Sequence, residues 1–523
     1  MTGKIAYYKF PETQTKRKFF SKNMKIILIT ASFEDEQRST EIQDNSHYPI
    51  GLGYLHSFIE SKGHDVKTLF LNDYEPQECI NISIRSIEDI NPDVVGFQIL
   101  TGNRVCSFRL IEIIHNKYSN IKIVIGGIHV SVMYEQILNK YPFLTAVLGE
   151  GEITFSELIN GGKNIEDIDG IAFNHNGRIV KTKDRALIEN LDELPFPKHE
   201  IFFNEFRRCG CLLTSRGCPF SCTFCCICTI SKRKIRYRSV NNVVDEIEYM
   251  TKKFHGMSSV WIHDDSLFLN NDRVIELCNE IVNRGIKIEF ICSGRMKPLN
   301  KQMVTALEKA GFTHVLFGLE SGAKEILKTS KKAITKEDAI NAIELFSKSS
   351  IRVTIFLIIG LPGETIETVK ETIALVQTLQ RIKYIWFGDV MGKLFIYPGA
   401  EVYEIAKAKG FIDDSYWLTD KNIPFYAAEH SIEKLLEFED MMINHLSMYR
   451  IFTSAGFDAQ KKMIYLIFKD KFFRRKFINQ FFNIVLPRNR INQIKKSLGL
   501  DRKTRKARAA FIKNLIGLNS TPQ

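Results

Sequence analysis

Cys218, Cys222 and Cys225 stand within one short stretch, Arg216-Gly-Cys-Pro-Phe-Ser-Cys-Thr-Phe-Cys225, at the spacing C-x3-C-x2-C. Three thiolates so close along the chain can wrap a [4Fe–4S] cluster from a single loop and leave its fourth iron without a protein ligand. An open iron can bind and reduce a small molecule, whereas a cluster held by four cysteines mainly passes electrons. Gly217 and Pro219 suit an irregular loop, and Arg216 is placed to favour the deprotonated sulfurs that ligation needs. Cys209, Cys211, Cys226 and Cys228 are near enough in sequence to offer a fourth sulfur, so the spacing alone leaves a four-ligand zinc or iron site open.

Seven of the 11 cysteines fall between Cys209 and Cys228. A secreted disulfide framework would spread them through a small chain, so the clustering points to a metal site in a reducing compartment. The 523 residues are enough for several domains, and a composition of 44% hydrophobic and 25% charged residues is that of an ordinary globular protein. The first residues lack an apolar signal core, and no uncharged apolar run reaches the length of a spanning helix, so the expected location is cytoplasmic.

The elements around the cysteines alternate. After a polar leader over 1–23, apolar runs at 24–30, 66–71, 92–99, 121–125 and 144–148 read as strands. Helical spacing follows near 50–60, 105–117 and 130–139. This pattern predicts a parallel, doubly wound Rossmann-like sheet over 24–165, with ligands at the carboxyl ends of the strands. Gly126-Gly-Ile-His129 and Gly149-Glu-Gly-Glu152 occupy two such ends. A hairpin near 170–177 and the Pro-rich stretch 190–197 read as a connection over 166–205. A second βα series spans 206–412, with strands at 211–215, 258–264, 287–293, 313–319, 352–359 and 384–390. Its strand ends carry Asp264-Asp265, Ser293-Gly-Arg295, Gly318-Leu-Glu-Ser-Gly322 and Gly360-Leu-Pro-Gly-Glu364. Carboxylates and a guanidinium there can hold a zwitterionic ligand, although Asp264 also suits a helix N-cap. Thr365 is placed to cap the next helix.

With the aromatic Phe224 just before Cys225, the cysteine motif resembles the radical S-adenosylmethionine (SAM) enzymes. The whole arrangement is similar to their cobalamin-dependent subgroup. The resemblance covers roughly 24–412 and rests also on Pro49-Ile-Gly-Leu-Gly-Tyr-Leu55, the Gly126-Gly-x-His turn, the Gly149-Glu-Gly-Glu turn, Gly-Leu-Glu-Ser-Gly322 and Tyr397-Pro-Gly399. It implies a cobalamin-binding domain, a partial (βα)6 barrel and a [4Fe–4S] cluster on Cys218, Cys222 and Cys225. The open iron of that cluster would bind SAM, whose cleavage yields a 5′-deoxyadenosyl radical. It further implies SAM contacts from Phe224, Asp264, Asp265, Arg295, Glu320, Ser321 and Gly360, and cobalamin contacts from Gly126, Gly127, His129, Gly149 and Glu150. No catalytic residue beyond the cluster is assigned. The Asp-x-His-x-x-Gly motif that supplies a lower cobalt ligand in other cobalamin proteins is absent, so His129 is expected to be structural or phosphate-contacting.

The expected activity is methylation of an unactivated carbon. The alternatives are cyclisation or oxidation with the same cofactors, or a non-catalytic iron–sulfur protein that binds a membrane or an acidic partner. The resemblance also implies a flavodoxin- or ferredoxin-type electron donor and a small-molecule substrate, and the basic end of the chain points to a lipid as the alternative substrate. A helical region over 413–523 completes the chain. From Lys461 onward it carries 17 Lys and Arg against 2 Asp and Glu, which exceeds the +12 of the whole chain, so everything before it is slightly acidic. Its interleaved phenylalanines either pack on the barrel or form a basic amphipathic face for peripheral membrane contact. No nucleic-acid-binding motif accompanies the charge.

Overall fold

The computed structural model describes residues 23–33, 49–203, 209–386 and 391–446. The first sheet contains β1 (Lys25–Thr30), β2 (Asp65–Phe70), β3 (Val94–Gln98), β4 (Lys122–Gly126), β5 (Thr145–Val147), β6 (Ile171–His175) and β7 (Arg178–Lys181). Their order is β2-β1-β3-β4-β5-β6-β7, and β1 to β5 pair in parallel. The winding reverses between β1 and β3, which opens a crevice at their carboxyl ends. Ile26 to Ile29 are fully buried, as expected for a parallel strand covered on both faces.

Two features differ from the sequence reading. The hairpin β6–β7 adds antiparallel to β5 and extends this sheet instead of lying in the connection; it covers what would be an open edge. A helix at Pro76–Ile90 was not foreseen, because its buried face is built from Cys79, Ser83, Ser86 and Ile87, a weak apolar stripe.

The second sheet contains β8 (Cys209–Leu212), β11 (Ser259–Ile262), β12 (Glu289–Gly294), β13 (Phe312–Glu320), β14 (Arg352–Ile359), β15 (Ile385–Trp386) and β16 (Met391–Lys393). All pair in parallel in the order β8-β11-β12-β13-β14-β15, an open half-barrel. The sixth position is shared: β15 pairs with the start of β14 and β16 with its end. The short strands β9 (Ser215–Arg216) and β10 (Arg236–Tyr237) form a separate antiparallel pair flanking the cysteine loop.

Five outer helices of the barrel begin at a side-chain cap. Ser239, Asn270, Asn300, Thr335 and Thr365 accept hydrogen bonds from the backbone N–H of Asn242, Arg273, Met303, Asp338 and Thr368. The expected cap at Thr365 is among them.

Residues 394–426 fold back on the first sheet. Leu394, Ile396, Tyr403 and Trp417 share one apolar cluster with Ile27, Val95 and Ile125. Buried Arg104 donates to the carbonyls of Trp417, Thr419 and Lys421. The two sheets are therefore joined through a common core. The helix Ile432–Leu446 closes the described chain; the basic stretch from Lys461 lies outside the described residues.

Candidate functional site

A cavity of about 410 Å³ lies between the two sheets. From the first sheet Leu28, Gly96, Gln98, Gly126, Gly127, Gly149 and Glu150 line it, with Gly51 from the helix Ile50–Ser61. From the barrel Ser215, Arg216, Gly217, Ile227, Arg236 and Asp265 line it. Gly127 has φ +103, and a Cβ there would sit 2.7 Å from the Ile99 carbonyl, so only glycine fits. The strand ends thus bring bare backbone to the cavity. Gln98 Oε1 has no hydrogen-bond partner among the described residues, a buried acceptor suited to an amide N–H of a bound group.

The cysteine loop begins at the rim. Gly217 has φ +95, and a Cβ there would overlap the Lys234 carbonyl. Its N–H donates to Asp265 Oδ2 at 3.1 Å. The loop is held further by Thr223 N–H to Ser330 O, Val402 N–H to Thr223 O and Cys225 N–H to Cys222 O. Burial raises the Cys218 thiol and pushes Cys225 up to about 12, against backbone donors that favour the thiolate. Such thiols keep their protons until a metal takes the sulfur, since a coordinated thiol is deprotonated outright.

The cation beside these sulfurs is not Arg216, as the sequence suggested. Arg216 turns away to Glu150 and Glu152. Arg295 takes the place: its guanidinium stacks 3.8 Å over Phe220 and lies 3.7 Å from Cys222 Sγ. Among the described residues, no three His, Cys, Asp or Glu side chains converge as a single metal ion would require.

The strand-end residues divide. Arg295 and Glu320 stand near the loop. Glu320, at φ +67, is buried against Lys332 Nζ at 2.8 Å, and Lys332 lies 5.7 Å over the Phe224 ring. Asp265 keeps one oxygen on Gly217 and faces the cavity. Burial pushes its carboxyl up to about 6, assisted by Asp264 and opposed by the Gly217 N–H. The oxygens of Asp264 accept from Thr214 N and Oγ1 and from Ser215 N and Oγ. It is buried and braces the turn between β8 and β9, and it caps no helix among the described residues. Ser321 is fully buried and bonded to Thr372 and the Ala323 N–H, so it too is spent internally. Gly360 gives its N–H to Glu364 Oε2 at 2.6 Å; the turn itself accounts for the glycine.

On the other wall, Gly126, Gly127, Gly149 and Glu150 line the cavity, whereas His129 does not. His129 is buried, with Nδ1 3.2 Å from Thr101 Oγ1 and its ring edge-on to Trp417. Burial, with the charge of Arg104, lowers it to about 3. Its place is among Thr101, Arg104 and Trp417, off the cavity lining. Sequence reasoning missed Lys332 as the partner of Glu320, and the pairs Arg216–Glu152 and Arg236–Glu150; no local pattern announces any of these partners.

Comparison with known proteins agrees with this architecture. Residues 44–159 match the B12 binding domain and residues 212–376 the Radical SAM superfamily. The chain is 29% identical over 434 residues to a protein from Pyrococcus horikoshii named as an uncharacterised methyltransferase, covering 81% of this chain and 91% of that one. It is 29% identical over 347 residues to the anaerobic magnesium-protoporphyrin IX monomethyl ester cyclase of Rubrivivax gelatinosus, covering 62% and 61%. The solved cobalamin-dependent SAM radical enzyme OxsB shares the fold, with a TM-score of 0.67 at 19% identity over 94% of this chain and 75% of that one. The chain is a cobalamin-dependent radical SAM enzyme; its cofactors are a [4Fe–4S] cluster, SAM and cobalamin.

Proposed function

We propose that this enzyme transfers a methyl group to an unactivated carbon of a small-molecule substrate. The cavity between the sheets carries the reading. One wall offers glycine backbone and the unpartnered Gln98 oxygen to a large amide-bearing group such as cobalamin. The other wall is the start of the cysteine loop. The similarity to a relative named as a methyltransferase, over most of both chains, supports methyl transfer.

When bound, the cluster with SAM supplies a 5′-deoxyadenosyl radical and methylcobalamin supplies the methyl group. Cys218, Cys222 and Cys225 would hold the cluster, each as a thiolate. Arg295, beside Cys222, offsets negative charge on the loop and can take a ligand carboxylate. Glu320, fixed by Lys332, would accept from the SAM amino group or ribose. Gly126, Gly127, Gly149 and Gln98 would seat the corrin, and the apolar wall of Leu28, Gly96 and Val124 keeps water out. An external one-electron donor of flavodoxin or ferredoxin type would reduce the cluster.

The test is to reconstitute the protein anaerobically with methylcobalamin and SAM, and to follow corrin absorbance, 5′-deoxyadenosine and product mass. A product heavier by one methylene unit supports methylation. Corrin retained with an unmethylated product favours the second reading, cyclisation, which the similarity to the cyclase motivates.

A further inference from the structure

Arg216 has a role that the proposed chemistry does not use. It stands two residues before Cys218, yet its guanidinium leaves the barrel. Its Nη1 lies 3.2 Å from Glu150 Oε1 and its Nη2 2.7 Å from Glu152 Oε1. Its plane lies 4.7 Å over the Tyr54 ring. Arg236, which pairs with Arg216 across β9 and β10, reaches Glu150 Oε2 at 2.8 Å and the Ile188 carbonyl at 2.7 Å. The four charged side chains are only 5–15% exposed. Burial would lift the Glu150 carboxyl, but the hydrogen bond from Arg236 and the charge of Arg216 hold it below its usual range.

Glu150 and Glu152 belong to the first sheet's side of the cavity, Arg216 and Arg236 to the barrel's side, and all four line it. The backbone that carries the first cysteine is thus tied to the cavity wall by a desolvated knot of two arginines and two glutamates. Such pairs are stiff, because separating one leaves an uncompensated buried charge. A group seated against Glu150 and Glu152 bears on the Arg216 guanidinium, and Arg216 is joined to Cys218 through Gly217 alone.

We infer that Arg216 is a positioning residue that couples corrin occupancy of the cavity to the geometry of the cysteine loop. The inference rests on the corrin reading above. Coupling of this kind is reciprocal: the corrin alters the loop to the same degree that the loaded cluster alters corrin affinity.

The experiment titrates cob(II)alamin into full-length protein with and without its cluster. It also records the electron paramagnetic resonance of the reduced cluster with and without corrin, in wild type, R216K, R216Q and E152Q. The wild-type affinities should differ by about fivefold or more, and corrin should shift the cluster signal. R216Q should bring the affinity ratio to near one and abolish the shift. R216K, which keeps the charge but loses the fork, should retain part of both. E152Q removes one pair and should reduce both; it carries the test should R216Q fail to fold by circular dichroism. Corrin bound with equal affinity to both wild-type forms, or R216Q and E152Q keeping the full wild-type ratio and shift, overturns the inference alone. No corrin binding in any form overturns the functional reading and this inference with it.

Discussion

The two walls of the cavity are both made of parallel strand ends, yet they are built from opposite materials. The first sheet presents glycines and aliphatic side chains, Gly96, Gly126, Gly127, Leu28 and Val124, with charge confined to Glu150 and Glu152. The barrel presents Arg216, Arg236 and Asp265 to it, and the charges on that side are largely paired: Arg216 with Glu152, Arg236 with Glu150 and, beside the cysteine loop, Glu320 with Lys332. A wall of backbone selects by shape, because a side chain added there either strikes the chain behind it, as at Gly127, or enters the cavity, as at Gly51. A wall of paired charges is selective through electrostatics, because removing one member leaves the other desolvated and unsatisfied. The first wall should therefore be sensitive to volume and the second to charge.

The largest effect expected on the barrel side comes from the sulfurs. C218A, C222A or C225A, made singly, should abolish cluster assembly and 5′-deoxyadenosine formation, read as iron and sulfide content and by chromatography after reduction. Corrin binding should persist, within the factor set by the coupling through Arg216.

Next is the pair below the loop. E320Q leaves Lys332 with an unpaired buried charge, and breaking such a pair costs about 3–5 kcal/mol. Denaturant unfolding of the cluster-free protein should show that loss. A change below about 1 kcal/mol would place solvent beside Lys332 and remove the contrast between the walls.

Glu364, at the turn after β14, gives a pH signature. Burial pushes its carboxyl up to about 7 from 4.5, against the Gly360 N–H that favours the carboxylate. Between those two values the folded chain holds a proton that the unfolded chain has lost, so stability falls as pH rises from 4.5 to 7 and levels off above. E364Q should flatten that slope, by up to about 3 kcal/mol across the window. A slope unchanged by the substitution would assign the titration to another group.

The smallest effect serves as a control. Arg109 and Asp420 pair at 2.8 Å on the surface, both substantially exposed. R109A should cost under about 1 kcal/mol and leave corrin and cluster signals untouched.

Much of the scaffold was legible in the sequence because local chemistry specifies it. β14 falls on the apolar run 352–359 as expected. The capping residue Thr365 follows from its place after Gly-Leu-Pro-Gly-Glu, and the three cysteines could only share one loop. What escaped were relations across the chain. His129 follows a glycine pair at a strand end, but whether a side chain so placed faces the crevice or the core depends on Trp417, nearly 300 residues later. Arg216 reads as a cation for its neighbouring sulfurs until the fold brings Glu150 and Glu152 to it and Arg295 to the loop. Asp264 looks like a ligand carboxylate until Thr214 and Ser215 fill its oxygens. Positions on strands and helices follow periodicity; the partners of buried charges follow tertiary packing.

The most direct measurement of the central claim, that the glycine wall seats the corrin opposite the cysteine loop, uses Gly51. This residue lines the cavity from a helix, and a Cβ there would make only ordinary contact with Gln98. Gly51→Phe should therefore fold, load its cluster and still release 5′-deoxyadenosine, while failing to retain cobalamin by absorbance after gel filtration. Wild-type corrin retention in that variant would contradict the account.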